Sequence, residues 1–236
     1  RYKGTKVVSV SPDYAESTTS SDAWLNVKAG TDAALAMAMG HVILKEYYID
    51  KETPYFKEYA KEFTDMPFLV RVEDINGAVQ PGRFLNAKDL GSKEDGADFQ
   101  TVLIDETTNE IVVPNGTMGD RHTNPQKWNL RLENRNTGAK IDPRLSVFDQ
   151  RQDVTVVKLP YFGDEEHEGV IERAIPTITV QTVDGPVKVT TVYDLILANY
   201  GIDRGIGGEV ATSYTDDTPY TPTWQEKITD RKSTRL

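Results

Sequence analysis

Cysteine is absent from all 236 residues, so the chain offers no disulfide, no thiol nucleophile and no thiolate ligand for an iron–sulfur cluster. That absence assigns no redox compartment. Histidine is nearly as scarce, and His41, His122 and His167 are too widely spaced to suggest a local metal site. No apolar run approaches the roughly 18 residues that a membrane-spanning helix needs, and mean hydropathy is −0.51. Positive charge is also in short supply. Lys and Arg number 27 against 37 Asp and Glu, giving a formal charge of −10, and the bases are scattered. This balance argues against nucleic acid or an anionic lipid surface as the main partner. No basic, apolar leader follows Arg1, while strand-like residues begin at Lys6; the expectation is a natural chain that starts further upstream.

The residues that are present suit a folded α/β chain, 38% hydrophobic and long enough to bury a substantial core. The β-branched run Lys6–Val10 predicts a strand stopped at Ser11-Pro12, because proline cannot donate to a continuing ladder. Gly30-Thr31-Asp32 predicts a helix start, with Thr31 as the cap and Asp32 favoured by the positive end of the helix dipole. The helix is expected over 32–48. Leu35, Met39, Val42 and Ile43 fall at helical spacing, and the alanines around Met37 leave little polar face, so burial on most sides is expected. Strand, loop and helix in this order form half of a βαβ unit, whose ligands sit beyond the carboxyl end of the strand.

Thr53-Pro54 predicts a second helix over 54–64, with a cap and a proline at the first helical position. From Pro67 to Pro186 short β-branched pieces at 68–72, 101–104, 111–113 and 177–180 predict hairpins and long loops. Asp184-Gly185 is expected to join 177–182 to 187–190, with Pro186 weakening the start of the returning strand. Thr191 and Gly201 bracket a further helix, and Thr221-Pro222 opens another. The expected organisation is an α/β part over 1–66, a β-rich insertion over 67–186 and a return to the α/β part over 187–229. Asp230–Leu236 resembles the translation of a sequencing adapter and is set apart as a non-native tail. His41 reads as a satisfied core residue. The acidic stretch Gly163–Gly169 around His167 reads as a solvated loop, and Asn115–Gly119 as a tight turn.

Val8-Ser-Val-Ser-Pro-Asp-Tyr-Ala15, followed by Asp22-Ala-Trp-Leu and Gly30-Thr-Asp-Ala-Ala-Leu35, resembles the molybdopterin oxidoreductase (dimethyl sulfoxide reductase) family. Further segments are similar, in the same order, to the family's respiratory nitrate reductase alpha-subunit branch. They are Arg1–Lys6, Thr31–His41, Thr64-Asp-Met-Pro67, Pro160-Tyr-Phe-Gly163, Thr190–Leu195, Ala198-Asn-Tyr-Gly201 and Tyr220-Thr-Pro222 with Trp224. The resemblance implies an internal fragment of a catalytic subunit that reduces nitrate to nitrite, with a Rossmann-like parallel sheet in its molybdopterin-binding domain. The implied cofactor is Mo-bis(molybdopterin guanine dinucleotide), with its guanosine end held by Ser11, Pro12, Asp13, Tyr14, Gly30, Thr31 and Asp32. Of these, Asp32 is the sharpest expectation for guanine; its first-turn position by itself favours a structural role, and it is the resemblance that implies the ligand role. Pro12 and Asp13 depart from the family's loop chemistry by removing one N–H and adding a negative charge.

The molybdenum ligand and the ligands of a 4Fe-4S cluster are implied to lie upstream of Arg1, so no catalytic or metal-ligating residue is expected here. Implied partners are the remainder of the alpha subunit, an iron–sulfur beta subunit and a haem-b membrane subunit at the cytoplasmic face of a bacterial membrane. Another molybdopterin oxidoreductase, of chlorate, selenate or formate type, and a non-catalytic binding module are the alternatives.

Overall fold

The computed structural model describes residues 3–116, 131–161 and 169–230. The chain opens with strand β1 (Val8–Val10), a short helix α1 (Glu16–Thr19) and strand β2 (Ala23–Leu25). β1 and β2 pair in parallel, with Val8 opposite Ala23 and Val10 opposite Leu25. Asp22 fixes the entry to this pair: its carboxylate accepts from the Val7 N–H at 2.7 Å. Among the described residues no other pair of strands is parallel.

Helix α2 (Asp32–Ile43) follows and continues as a π-helical segment over Leu44–Asp50. The wider turn is visible in the bonding, since the Lys51 N–H donates to the Glu46 carbonyl five residues back. It also brings side chains five apart together, as in the ion pairs Lys45–Asp50 at 2.8 Å and Lys51–Glu46 at 3.0 Å. The expected helix is present, but its burial is one-sided. Ala34, Leu35, Ala38 and His41 face inward, whereas Ala33, Ala36, Met39 and Ile43 are exposed. Inward neighbours come from helix α5 (Pro222–Thr229) and from the apolar cluster Leu25, Val27 and Leu35; among the described residues the other face has no covering layer.

Helix α3 (Pro54–Phe63) begins at Pro54 as the sequence predicts. The β-rich stretch then supplies β3 (Leu69–Ile75), β4 (Ala78–Phe84), β5 (Leu103–Ile104), β6 (Ile111–Val112), β7 (Pro114–Asn115), β8 (Arg131–Asn134), β9 (Asp153–Pro160), β10 (Val170–Thr182) and β11 (Gly185–Thr191). Five of these form one antiparallel sheet in the order β4-β3-β11-β10-β9. Its edge strands β4 and β9 approach one another, so the sheet curls. The main sheet is therefore not the parallel one that a Rossmann-like domain carries; among the described residues parallel pairing occurs between the three-residue strands at the start and at the single bridge Ile202–Ala211.

The β10–β11 hairpin turns at Val183-Asp184, with Thr182 opposite Gly185. Pro186 is tolerated for a geometric reason. Alternation in an antiparallel ladder turns its nitrogen away from β10, and pairing of β11 with β3 begins only at Lys188. Helix α4 (Val192–Asn199) starts on a Thr191 cap whose hydroxyl accepts from the Asp194 N–H, and Gly201 ends it with φ +68°. Under the sheet lies a core of Leu69, Leu85, Val102, Val147, Val180 and Val189. A second core joins Ala34 to Ile171, Ile175, Ala198, Tyr220 and Trp224, tying α2, α4 and α5 to the sheet. No helix among the described residues is long and apolar enough to cross a membrane. Residues 231–236 of the expected tail, His122, His167 and Thr117–Gly119 lie outside the described residues.

Candidate cofactor-binding loops

Because β1 and β2 run parallel and in register, the loops that leave their carboxyl ends open on the same side. Ser11–Tyr14 follows β1 directly, and Gly30–Asp32 closes the loop after β2. The topology thus brings the two groups of expected site residues to one end of the pair, where α/β ligands bind.

The first loop is pre-folded. Ser11 donates its N–H to the Leu25 carbonyl at 3.2 Å, and the Trp24 indole N–H donates to the Ser11 carbonyl at 2.9 Å. The Ser11 hydroxyl donates to Asp13 Oδ1 at 2.9 Å, so these two expected ligands satisfy one another. Tyr14 packs edge-on against Trp24, with ring centroids 5.2 Å apart, and is 62% exposed. Trp24 is the residue whose role sequence reasoning underestimates. Its ring fits a packing role, but its N–H anchors a carbonyl 13 residues back, and only the β1–β2 register makes that contact visible.

The second loop is tied to the far end of the chain, through the Lys28 N–H on the Thr229 carbonyl at 3.0 Å. Gly30 has φ +80°, and an added Cβ would meet no atom within 4 Å; its constraint is backbone conformation, not space. Thr31 stands at the helix N-cap but does not cap with its side chain. Its hydroxyl donates instead to the Lys28 carbonyl at 2.6 Å, tightening the turn before the helix. Asp32 is the first residue of α2, exposed, and within the described residues no hydrogen bond occupies its carboxylate.

His41 is fully buried, and its Nδ1–H donates to the Tyr200 carbonyl at 2.7 Å, the satisfied core role expected of it. Among the described residues no cluster of His, Cys, Asp or Glu has metal-ligating geometry. A charged cavity of about 600 Å³ lies elsewhere, between Tyr48, Lys57, Lys61, Arg144, Phe148 and Arg204. Three of its cations are ion-paired, Lys57 with Glu52, Lys61 with Asp142 and Arg204 with Asp194, while Arg144 donates to the side-chain carbonyls of Asn109 and Gln150.

The molybdopterin oxidoreductase family model matches residues 1–200. The chain is 49% identical over 232 residues to the nitrate reductase alpha chain of Bacillus subtilis (strain 168), covering 98% of this chain and 19% of that protein. To the respiratory nitrate reductase 1 alpha chain of Escherichia coli (strain K12) it is 44% identical over 242 residues, covering 97% and 19%. The perchlorate reductase subunit alpha of Dechloromonas aromatica (strain RCB) is 37% identical over 121 residues, half of this chain and 11% of that protein. The chain spans about a fifth of the length of the nitrate reductase relatives it matches. With the family model covering both loops and the curled sheet, this chain belongs to the molybdopterin oxidoreductase family.

Proposed function

We propose that this chain is a segment of the molybdenum-carrying catalytic subunit of a respiratory nitrate reductase. Its part is to hold the guanosine end of Mo-bis(molybdopterin guanine dinucleotide). Similarity over nearly the whole chain to nitrate reductase alpha chains supports nitrate over the chlorate-type alternatives, whose relatives match about half of it. On this reading the β1–β2 pair is the start of a larger parallel sheet, continued by strands elsewhere in the polypeptide. An iron–sulfur subunit and a haem-b membrane subunit at the cytoplasmic face of the membrane complete the assembly, and 4Fe-4S ligands lie outside this segment.

One observation carries the assignment of the site: the exposed carboxylate of Asp32, free of hydrogen bonds among the described residues, at the carboxyl-end side of a parallel strand pair. Guanine presents an N1–H and an N2–H₂ on one edge, and an ionised carboxylate can accept both. Gly30 supplies the left-handed turn that sets Asp32 at the helix start. Ser11 and Asp13 fit less directly, because their side chains bond each other, and Pro12 has no N–H to give. Tyr14, exposed and braced by Trp24, is an available stacking surface for a ribose or base. When bound, the cofactor supplies the oxygen-atom transfer chemistry; these residues orient its remote end.

Asp32→Asn in the full-length enzyme tests the reading. The amide turns a donor toward a guanine donor, and the expected loss is about 1–3 kcal/mol of cofactor binding. Molybdenum content and guanine release should fall, with nitrate affinity unchanged in the molecules that remain loaded. A first-turn acid acting only on the helix dipole would instead cost about 0.3–1 kcal/mol of stability and leave cofactor content intact. Full occupancy in a folded variant would falsify the ligand role.

A further inference from the structure

Six exposed apolar side chains lie outside the proposed site and share one face. Tyr55, Tyr59 and Phe63 run along the outer side of α3 at four-residue spacing, 68%, 48% and 62% exposed. Their rings form a ladder, with centroids 6.4 Å apart from Tyr55 to Tyr59 and 5.3 Å from Tyr59 to Phe63. Phe56 bridges it to the neighbouring helix, lying 5.6 Å from Tyr55 and 5.5 Å from Tyr47. Ile43 and Met39 continue from Tyr47 along α2, again at four-residue spacing and exposed. The ridge adds little to this chain's own core, because α3 is already anchored from its opposite side by Phe56 and Ala60 against Tyr48, Tyr193 and Leu197.

We propose that this ridge seats in an apolar groove of the same longer polypeptide, formed by residues outside the 236 described by this sequence, as a permanent contact between parts of one subunit. A continuous apolar surface of this kind on a soluble chain marks an interaction site. Its composition fits a core cut in two better than a transient, polar contact: among the described residues the one cation over these rings is Lys51, 4.3 Å from the Tyr47 centroid and already paired with Glu46. The relatives are about five times as long as the stretch this chain matches, so ample polypeptide exists to cover it.

The rim argues against a second copy of the chain. Glu58 and Glu62 flank the ladder without ion-pair partners among the described residues, whereas Lys57 and Lys61 are engaged with Glu52, Glu106 and Asp142. A two-fold copy would set acid against acid at the edge of the contact. The groove that covers the ridge should therefore carry Lys or Arg beside its apolar floor.

The inference rests on the proposed placement in a longer polypeptide and is independent of the guanosine assignment. Its test is site-specific photocrosslinking of the full-length subunit carrying p-benzoylphenylalanine in place of Tyr59. The expected product is an intrachain cross-link to a peptide outside residues 1–236, from a segment containing Lys or Arg. A cross-link to a second copy, to a different subunit or within residues 1–236 overturns the inference. Peptide mapping of the same sample gives the polypeptide's length wherever the cross-link falls, so a failure of the placement is told apart from a failure of the contact. Hydroxyl-radical footprinting of the unsubstituted subunit guards against a perturbed variant. Tyr55, Tyr59 and Phe63 should lose oxidation down to the level of buried Tyr161 and Tyr220, and oxidation at the rate of open surface residues overturns the proposal.

Discussion

At the scale of single residues, Asp194 accepts four hydrogen bonds on its carboxylate and has no exposed surface. One carboxylate oxygen accepts from the Ser146 hydroxyl at 2.6 Å and from Arg204 Nη1 at 2.5 Å. The other accepts from the Val147 N–H at 2.9 Å and from the Thr191 hydroxyl at 2.8 Å. Asp194 thus closes the helix start, holds the 146–147 turn and balances a guanidinium that stacks on Phe148 at 4.2 Å. Asp194→Ala should destabilise the chain by about 3–5 kcal/mol, because Arg204, with about a tenth of its side chain exposed, is left without its counter-charge. Asp194→Asn should lose less, about 1–3 kcal/mol, since the shape and some acceptor capacity remain. Denaturant unfolding measures both, and a cost below about 0.5 kcal/mol for the alanine variant would place the cluster among screened surface pairs. The Thr191-x-x-Asp194 spacing is legible as a capping pattern in the sequence. Ser146 and Arg204 are not, because the contacts that recruit them depend on how distant turns fold back. The candidate site divides in the same way: Gly30 and Asp32 are readable as a helix start, whereas the Trp24 N–H on Ser11 and the turned-away hydroxyl of Thr31 follow from tertiary contacts.

At the scale of elements, local chemistry predicts the helix starts at Asp32, Pro54, Val192 and Pro222, and a hairpin whose expected junction, Asp184-Gly185, lies one residue past the observed turn at Val183-Asp184 because Gly185 already pairs with Thr182. The π-helical segment is missed because apolar spacing alone does not separate it from an α-helix. Its signal lies in the charges, acid and base five residues apart at Lys45/Asp50 and Glu46/Lys51. β4 is absent from the short pieces read in the sequence, since Pro81-Gly82 interrupts its run; its place at the sheet edge leaves room for the proline. β9 alternates openly, with Val157 and Leu159 buried and Val154 and Val156 exposed, a period-two pattern that the short-piece reading leaves out. Packing between elements supplies a sharper test at Gly40. A glycine inside a helix costs about 1 kcal/mol relative to alanine, so propensity alone makes Gly40→Ala stabilising. The structure gives the opposite sign. A Cβ there would lie 2.5 Å from the Tyr200 ring, and the adjoining His41 bonds the carbonyl of that same residue. Overpacking of this kind typically costs 1–3 kcal/mol, about as much as it takes to override the propensity gain and more. The expected outcome is a lower unfolding midpoint for Gly40→Ala, with the loss reduced when Tyr200→Leu is added; a raised midpoint would mean that α2 and Tyr200 are loosely packed.

At the scale of the whole molecule, the β-rich middle is legible as a region, but its closure into one curled antiparallel sheet is not. The order β4-β3-β11-β10-β9 joins strands more than a hundred residues apart, and no local pattern selects β11 as the neighbour of β3. Long-range closure also gathers titrating groups that answer to acid in separate ranges. Burial holds the His41 imidazole below its ordinary pKa of 6.5, against the raising effect of its bond to Tyr200. The unfolded chain therefore takes up a proton there that the folded chain refuses, and stability declines as pH falls below 6.5, levelling off once the folded ring is also protonated. One such proton sets a limiting slope of about 1.4 kcal/mol per pH unit. Asp89 and Asp105 act lower. Burial pushes both carboxyls up, but Arg83 and the Asn86 N–H at Asp89, and the Asp142 and Thr107 N–H groups at Asp105, outweigh it and hold both below 3.8. Their contribution is complete above that value and is lost as pH falls through the folded pKa values. Unfolding free energy measured across pH should therefore fall in two stages, a gradual one beginning near 6.5 and a steeper one in the carboxylate range. His41→Gln, which can keep a donor on the Tyr200 carbonyl, should flatten the first stage and spare the second, while Asp105→Asn should weaken the second alone. A profile that is flat from pH 6.5 down to the carboxylate range, or a first stage that survives His41→Gln, would show that the buried imidazole is not the group that responds.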